Sequence, residues 1–575
     1  MYLKKTPQKT GRMHLAIADS YREDGKTKTK TVKSLGYLDE FTEIYSDPIA
    51  HFTELAKEMT LAEKEKSAPI QITIHPMEKI NRRTENRKNI GSAVCLSHLN
   101  ALGIEKVIRN SIRKRKFEFD LNACMRLLVI ERILNPGSKL KALKGASDYF
   151  FASDFSDDDL YKALDVFAEA KDRIISAMNK QIMQAKKRDL GAVLYDVTNY
   201  HFETETEDDL RKKGVAKNQR RDPIIQMGLL LDQNSIPVTY KTFAGNTNDS
   251  KTLIPVLLDL KRDYGLSNIT VVADKGLNSS DNIAAIKLAH ADFIFSQSIR
   301  GTKSDQQVRN WVISKNGYRS NSDNTFKIKS RQDKKRITVT SDDGKKRKVD
   351  VDIKMVAYWS LKYARRSKRK RDVAIAKAKD MIKNPTQYNR ATSMGAAQYI
   401  KNLSFDKQTG EIIEDTEQVL ELDIKAIKKA EDCDGYYCLI TSKTDMADNL
   451  IIDSYKELFR IEEMFKVSKS DIETRPLYVW TPKHIEAHFL TCYIALTILS
   501  LIRYDTHFKY TASQIIEELK SMSGTREESN WWLFDHRTDI SDELCASVGI
   551  DLTRRRMKTG EIKNIFADVK RQNKE

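Results

Sequence analysis

The residues whose types and spacing could do chemistry stand first in DSYKELFRIEEMFKVSKSDIETRPLYVW, residues 453 to 480. In a helix running from 455 to 469, Tyr455, Glu462 and Lys469 recur every seventh residue and drift only about 20° per step, so they share one face. A carboxylate thus stands between a phenol and an ammonium. Lys466, four residues past Glu462, reaches the same side, and Leu458, Phe459, Ile461 and Phe465 supply the apolar anchor. A carboxylate ringed by donors for an anion suits metal-assisted chemistry on a phosphate. The same spacings also describe a solvated face with ordinary charge pairs.

Two further carboxylates sit where strands are expected. LGAVLYDVT (190 to 198) is an apolar run of strand length ending in Asp196. IIQMGLLLD (224 to 232) and IPVTYKTFAG (236 to 245) read as two strands joined by a short turn at QNS, and SKTLIPVLLDLKRDYG (250 to 265) reads as an amphipathic helix. NITVVADKG (268 to 276) is a second buried strand, ending on Asp274; a helix and then ADFIFSQSI (291 to 299) follow. Three hairpin-like strands, a helix, a strand, a helix and a strand give the order of a ribonuclease-H-like sheet. The first and fourth strands of such a sheet are neighbours, so Asp196 and Asp274 converge. An Asp at a strand exit is also a common turn or cap former.

Asp196, Asp274 and Glu462 together resemble the acids of the DDE transposases of bacterial insertion sequences. The likeness is narrower still to the insertion-sequence-four superfamily, whose last acid lies in a Y-x2-R-x3-E-x6-K signature, here Tyr455, Leu458, Glu462 and Lys469. YDVTNYHFE, VVADKGLNS, FAGNTNDSKTL, RIEEMFKVSKSDIETRPLYVW, GRMHLAIADSYREDGKTKTKTVKSLGYLDE and AYWSLKYARRSKRKRDVAIAKA are similar to its sixteen-thirty-four-like subgroup, so the resemblance spans most of the chain. One position departs: Leu458 stands where the signature has Arg and cannot hold a phosphate. Arg460 lies about 200° around the helix from Glu462, so either Lys466 or Arg475 makes that contact or the contact is absent. Glu463 is a rival for Glu462, but its spacing from Tyr455 and Lys469 is wrong.

The resemblance implies that Asp196, Asp274 and Glu462 hold two Mg²⁺ (or Mn²⁺) ions for cleavage at transposon ends and strand transfer into target DNA. It implies cut-and-paste transposition on terminal inverted repeats by a homodimer, with Tyr455, Lys466, Lys469 and Arg475 against the DNA. A largely β insertion domain is expected before the Glu462 helix, and its basic run Arg365, Arg366, Lys368, Arg369, Lys370 and Arg371 would neutralise phosphates. The other classes open to this sequence are a nuclease or resolvase of the same fold that cuts without joining ends, and a DNA-binding derivative that has lost catalysis.

The elements that must position these residues fill 575 residues, too many for one core. The expected class is α/β: a ribonuclease-H-like core interrupted by the insertion, with a small β element at the N-terminus and helical domains on both sides. The divisions read as 1–70 (small, β-rich), 71–187 (helical, DNA-binding), 188–300 (core), 301–440 (insertion, mainly β with a basic helix), 441–505 (core) and 506–575 (helical). A strand and a charged connection are expected at 67 to 90. The N-terminal hairpin about EDGK, basic on one strand, either tracks DNA backbone or is solvated; the cluster Arg113, Lys114, Arg115 and Lys116 is open to the same two readings. Trp311 and Trp359 are core residues or stacking platforms, and Trp531 and Trp532 pack on this chain or on a second copy.

Composition narrows the class. Lys+Arg 99 against Asp+Glu 81 gives a net charge of +18, which favours a polyanionic partner. The six cysteines form no CxxC pair and read as reduced thiols of a cytoplasmic protein, which on the transposase resemblance works at the nucleoid. FLTCYIALTILSLI (489 to 502) is an apolar run of 14 residues, short for a membrane span and expected as a core helix. No membrane partner is expected.

Overall fold

A computed structural model describes residues 1–8, 11–23, 26–65, 77, 79, 86–151, 155–214, 222–264, 269–300, 305–340, 345–384, 394–402, 420–527 and 530–571. The chain divides into two compact units, Met1–Arg83 and Thr84–Glu575. The first is an antiparallel meander of β1 (Tyr2–Pro7), β2 (Met13–Glu23) and β3 (Lys26–Tyr37), followed by the helix Pro48–Glu65. Leu15 and Ile17 on β2 are fully buried, as are Phe52 and Ala56 of the helix, and they make this unit's own core. Most of the segment expected as a strand at 67 to 90 lies outside the described residues; its end is β4 (Arg87–Asn89).

The second unit is built on a nine-stranded sheet. Its centre is β5 (Ala192–His201), β6 (Ile224–Leu231), β7 (Pro237–Ala244), β8 (Thr270–Ala273) and β9 (Asp292–Ser296), ordered β9-β8-β5-β6-β7, so the first and fourth of these strands are neighbours as the sequence predicts. β5 pairs parallel with β8, and β8 with β9, while the hairpins β5–β6–β7 are antiparallel. Alternation along β5 sorts the side chains: Val193, Tyr195 and Val197 enter one apolar core, Leu194 and Tyr200 the other. Asp196 and Thr198 therefore share the face of Leu194 and Tyr200.

The stretch between β9 and the Glu462 segment builds onto this sheet. β10 (Arg319–Ser320), β11 (Phe326–Thr340) and β12 (Lys346–Ser360) extend it, joined to β9 through β15 (Tyr436–Thr441), so the division expected at 440/441 falls inside a strand of the sheet. The basic helix Leu361–Lys383 follows β12, and with the short pair β13 (Ile400–Asn402) and β14 (Leu420–Leu422) it encloses a separate small core around Ala378, Tyr399 and Leu420. Trp311 is half-buried with the Arg331 guanidinium 4.6 Å from its ring centre, and the Trp359 indole donates to the Asp434 carbonyl at 3.0 Å; both pack on the chain itself.

The helices of 71–187 share a core with the rest of the unit. Leu127, Ile130, Phe167 and Ile174 pack in the same cluster as Leu490, Ile494 and Ile498 of the helix Pro482–Asp505. That helix is long and apolar enough to cross a membrane, yet it is buried along nearly all its length, which makes it the central core helix. The C-terminal stretch is mixed rather than helical: β16 (Ser523–Arg526), β17 (Trp531–Phe534) and β18 (Arg556–Lys558) form a four-stranded sheet with β4. Trp532 is buried on β17, edge-on to Phe150 at 4.7 Å, with its indole donating to Thr559 at 2.9 Å. All six cysteines are buried and free.

Candidate active site

Register brings two of the three acids together. Leu194 lies opposite Val272 in the last pair of the parallel ladder, and Asp196 and Asp274 each stand two residues further along their neighbouring strands. Ala273 opposite Phe295 likewise sets Asp274 beside Ser296, whose hydroxyl donates to Asp274 Oδ1 at 2.7 Å. β5 does not end at Asp196 as expected. It continues to His201, because Thr198 to His201 keep pairing with Met227 to Ile224, and Asp196 stands in mid-strand, half-buried, while Asp274 is exposed just past the end of β8.

The stretch expected as one helix from 455 to 469 is three pieces. Asp448–Lys456 and Phe459–Lys466 are separated by a tight break at Glu457 and Leu458, and Val467–Asp471 forms a wider turn in which Ile472 N–H reaches the Val467 carbonyl at 3.1 Å. At the break, Leu458 N–H bonds the Tyr455 carbonyl at 3.1 Å, three residues back instead of four. Leu458 itself turns into the large core.

Both ends of this broken segment are fastened to the acid-bearing face. The Tyr455 hydroxyl donates to Asp274 Oδ1 at 3.1 Å; burial and the neighbouring carboxylate push this phenol well above its ordinary range, so it stays a donor. At the other end the Lys469 ammonium donates to Thr198 Oγ1 and lies 5.5 Å from the Tyr200 ring centre. The Tyr200 hydroxyl meets Ser468 Oγ at 2.8 Å, and Ser468 meets Thr474 Oγ1 at 2.9 Å. Glu462, seven residues from each anchor, is exposed, and its carboxylate makes no hydrogen bond or ion pair among the described residues. Its rival Glu463 is held by Arg503 at 3.0 Å on the core helix.

The cations divide into those that face outward and those committed to the fold. Lys466 is exposed one turn past Glu462. Arg475 is half-buried at the end of β5, with Nη1 3.3 Å from His201 Nδ1. Arg460 turns away, as its helix position predicts, to donate to the Gln233 carbonyl at 2.6 Å. In the basic helix, Arg365, Arg366, Lys368, Arg369 and Lys370 are exposed and make no ion pair among the described residues. Arg371 departs from the expectation of a phosphate contact. It is buried, with Nη1 on Asp434 at 2.5 Å and Nη2 on Glu431 at 3.5 Å, so its charge is spent within the fold.

Sequence reasoning missed Ser296 and Arg132. Ser296 shows itself only through register. Arg132 is buried and donates to the Glu473 carbonyl at 3.1 Å and the Gly137 carbonyl at 2.7 Å, bracing the loop that carries Arg475.

Among the described residues no three His, Cys, Asp or Glu side chains close into a metal-binding cluster. Asp196 and Asp274 supply hard oxygen donors from adjacent strands, and Glu462 supplies another from the segment fastened at Tyr455 and Lys469. Such donors fit Mg²⁺ or Mn²⁺ and not a soft ion.

A family model for the transposase DDE domain matches residues 187–498, more than half of the chain. The protein is therefore a DDE transposase, of the class that hydrolyses and transesterifies DNA phosphodiesters. A second model, the N-terminal domain of the IS1634 family transposase, matches residues 3–70, and the chain belongs to that family. No curated protein matches the sequence. Among solved structures, a match is found to the Mos1 transposase paired-end complex with left transposon end, at 8% identity over 44% of this chain and 70% of that one; the TM-score of 0.14 carries no structural argument.

Proposed function

We propose that Asp196, Asp274 and Glu462 are the catalytic acids and jointly hold two Mg²⁺ (or Mn²⁺) ions for cleavage at the terminal inverted repeats and joining to target DNA. The observation that carries this reading is the double anchoring of the Glu462 segment, Tyr455 on Asp274 and Lys469 on Thr198, which fastens the third acid's segment to the neighbouring strands that lead to the first two. Bound ions of this kind activate the attacking oxygen and stabilise the leaving 3′ oxygen of an in-line displacement. The side chains have separate tasks. Tyr455 and Ser296 fix the orientation of Asp274, Lys469 and Arg475 meet the scissile strand's phosphates, and Lys466 takes the contact that Leu458 cannot make.

The strand order β9-β8-β5-β6-β7 supports a ribonuclease-H-like reading of the core. The five exposed cations of Leu361–Lys383 grip DNA backbone, Arg371 excepted. Water as nucleophile nicks the element's end, and the freed 3′-OH then joins it to target, completing cut-and-paste transposition at the nucleoid by a homodimer with each copy acting on one end.

Replacing Asp196, Asp274 or Glu462 by Ala tests the assignment. Each variant is expected to lose Mg²⁺-dependent nicking and joining while still binding a duplex that carries the inverted repeat. A variant that nicks at the wild-type rate removes that residue from the site. A wild type that nicks but never joins ends makes the protein a nuclease.

A further inference from the structure

Asp274 leaves β8 on a short loop, and that loop is tied to a strand outside the five at the centre of the sheet. The turn Lys275–Leu277 follows Asp274, with Leu277 N–H on the Asp274 carbonyl at 3.0 Å and Asn278 N–H on the Lys275 carbonyl at 3.2 Å. Asn278 then bridges two strand exits. Its Nδ2 donates to the Ser296 carbonyl at 3.1 Å and to Gln297 Oε1 at 2.9 Å, where β9 ends. Ser296 is the residue whose hydroxyl donates to Asp274 Oδ1. One side-chain amide therefore links the loop that follows Asp274 to the strand end that orients it.

The acceptor end of that amide is fixed from β11, where Lys335 Nζ donates to Asn278 Oδ1 at 2.6 Å. β11 stands three places from β9 in the sheet, yet it packs on the helix Ser280–Leu288, so the long β11–β12 hairpin returns to the loop that carries Asp274. Lys335 is half-buried on a strand face whose other members, Ile337, Val351 and Ile353, are buried and apolar. It makes no ion pair among the described residues, and Asp333, two residues back, is held by Arg331 at 2.7 Å. Burial lowers the pKa of Lys335 to about 8. An ammonium in such a setting without a countercharge costs stability, and an apolar side chain of similar length would pack as well. What the ammonium supplies is direction. It can only donate, whereas an amide has one accepting and one donating end, so Lys335 on Oδ1 leaves Nδ2 aimed at Ser296 and Gln297.

We propose that Lys335 is a positioning residue for Asp274, acting through Asn278 and Ser296. Without the ammonium the amide can turn over, which sets its oxygen against the Ser296 carbonyl and releases the end of β9. The inserted hairpin thereby takes part in ordering the acid-bearing face. The inference rests on the reading of Asp274 as a metal ligand and deepens it.

The test uses the full chain, with Lys335→Met, Asn278→Ala and the double variant. Amide hydrogen exchange of the metal-free protein, read by mass spectrometry on peptides spanning 274–279 and 295–298, should quicken by about threefold or more in each single variant and no further in the double. In single-turnover nicking of a labelled end duplex, half-saturating Mg²⁺ should rise by about three- to tenfold in both single variants, with the double no worse than Asn278→Ala. The melting temperature of Lys335→Met should hold or rise, because a charge without a partner has left an apolar face. Affinity for the duplex should stay within about twofold of wild type. Wild-type exchange and wild-type Mg²⁺ dependence in Lys335→Met overturn the proposal. Additive effects in the double variant overturn it as well, since Lys335 would then act by another route. A loss of duplex affinity with Mg²⁺ dependence intact makes Lys335 a phosphate contact, and a lower melting temperature with exchange quickened throughout the chain makes its role structural; either result refutes the positioning role. If Asp274→Ala nicks at the wild-type rate, the metal-ligand reading fails, and the exchange result alone decides whether Lys335 orders this loop.

Discussion

Tyr455→Phe removes one oxygen from the site and nothing from its packing. In the protein that oxygen donates to Asp274 Oδ1 at 3.1 Å, and the same carboxylate oxygen accepts from Ser296 at 2.7 Å. A hydrogen bond to a charged group contributes about 1.5–3 kcal/mol. Because Ser296 remains, the lower end of that range applies, about 1.5 kcal/mol, or roughly tenfold in rate. The loss should fall on the population of correctly oriented Asp274. Half-saturation with Mg²⁺ should therefore rise by about tenfold in the single variant, and the rate at saturating Mg²⁺ should recover most of the wild-type value. Adding Ser296→Ala leaves Asp274 without either donor, and the combined loss should exceed the sum of the single effects, as neighbours in one network do. The assay is single-turnover nicking of a labelled end duplex across an Mg²⁺ titration, with thermal denaturation as control. Wild-type rate and Mg²⁺ dependence in Tyr455→Phe would refute the claim that this segment is anchored through Asp274.

Other expectations follow from the surroundings. Glu131 is buried and accepts from the Tyr149 hydroxyl at 2.5 Å, and burial pushes its carboxyl from an ordinary 4.5 up to about 7. The folded state thus holds a proton that the unfolded chain releases. Its contribution, on the order of 2–3 kcal/mol, is full below pH 4.5 and is lost as pH rises through about 7; Glu131→Gln should flatten melting temperature against pH over that window. Gly228 faces Tyr195 so closely that an added Cβ would sit 2.2 Å from the phenol oxygen. Gly228→Ala should destabilise by about 1–3 kcal/mol in thermal denaturation, and an unchanged midpoint would show that the β5–β6 pair is looser than described. Reversing Arg365, Arg366 and Arg369 should lower the slope of log affinity against log salt by about one per lost phosphate contact, whereas Arg371→Met should lower stability and leave that slope alone.

What could be read from the sequence follows the range of the forces involved. Val193 to Val197 and Thr270 to Ala273 declare themselves as strands through local apolar runs, and strand order then follows from short connections, so the adjacency of β5 and β8 was legible. Thr198 and Asn199 were not, since polar residues stay in β5 only through pairing with β6. The break at Leu458 has no proline or glycine to announce it; it lies between Tyr455, fastened to Asp274 just past β8, and Lys469, fastened to Thr198 on β5. Trp531 and Trp532 read as a tail because the strand they occupy belongs to a sheet with β4, more than four hundred residues earlier. β12 and β15 likewise meet across a long intervening stretch, which hid the extension of the core sheet. Arg371 lies in a run of like residues, and only the position of Asp434 shows that it faces inward.

The most direct test of a shared pair of ions is to replace Mg²⁺ by Fe²⁺ with ascorbate and peroxide and map where hydroxyl radicals cut the polypeptide. Cuts beside Asp196, Asp274 and Glu462, all suppressed by excess Mg²⁺ and all lost together when any one acid becomes Ala, are the predicted result. Cuts confined to one of the three, or clustered elsewhere in the chain, would contradict the account.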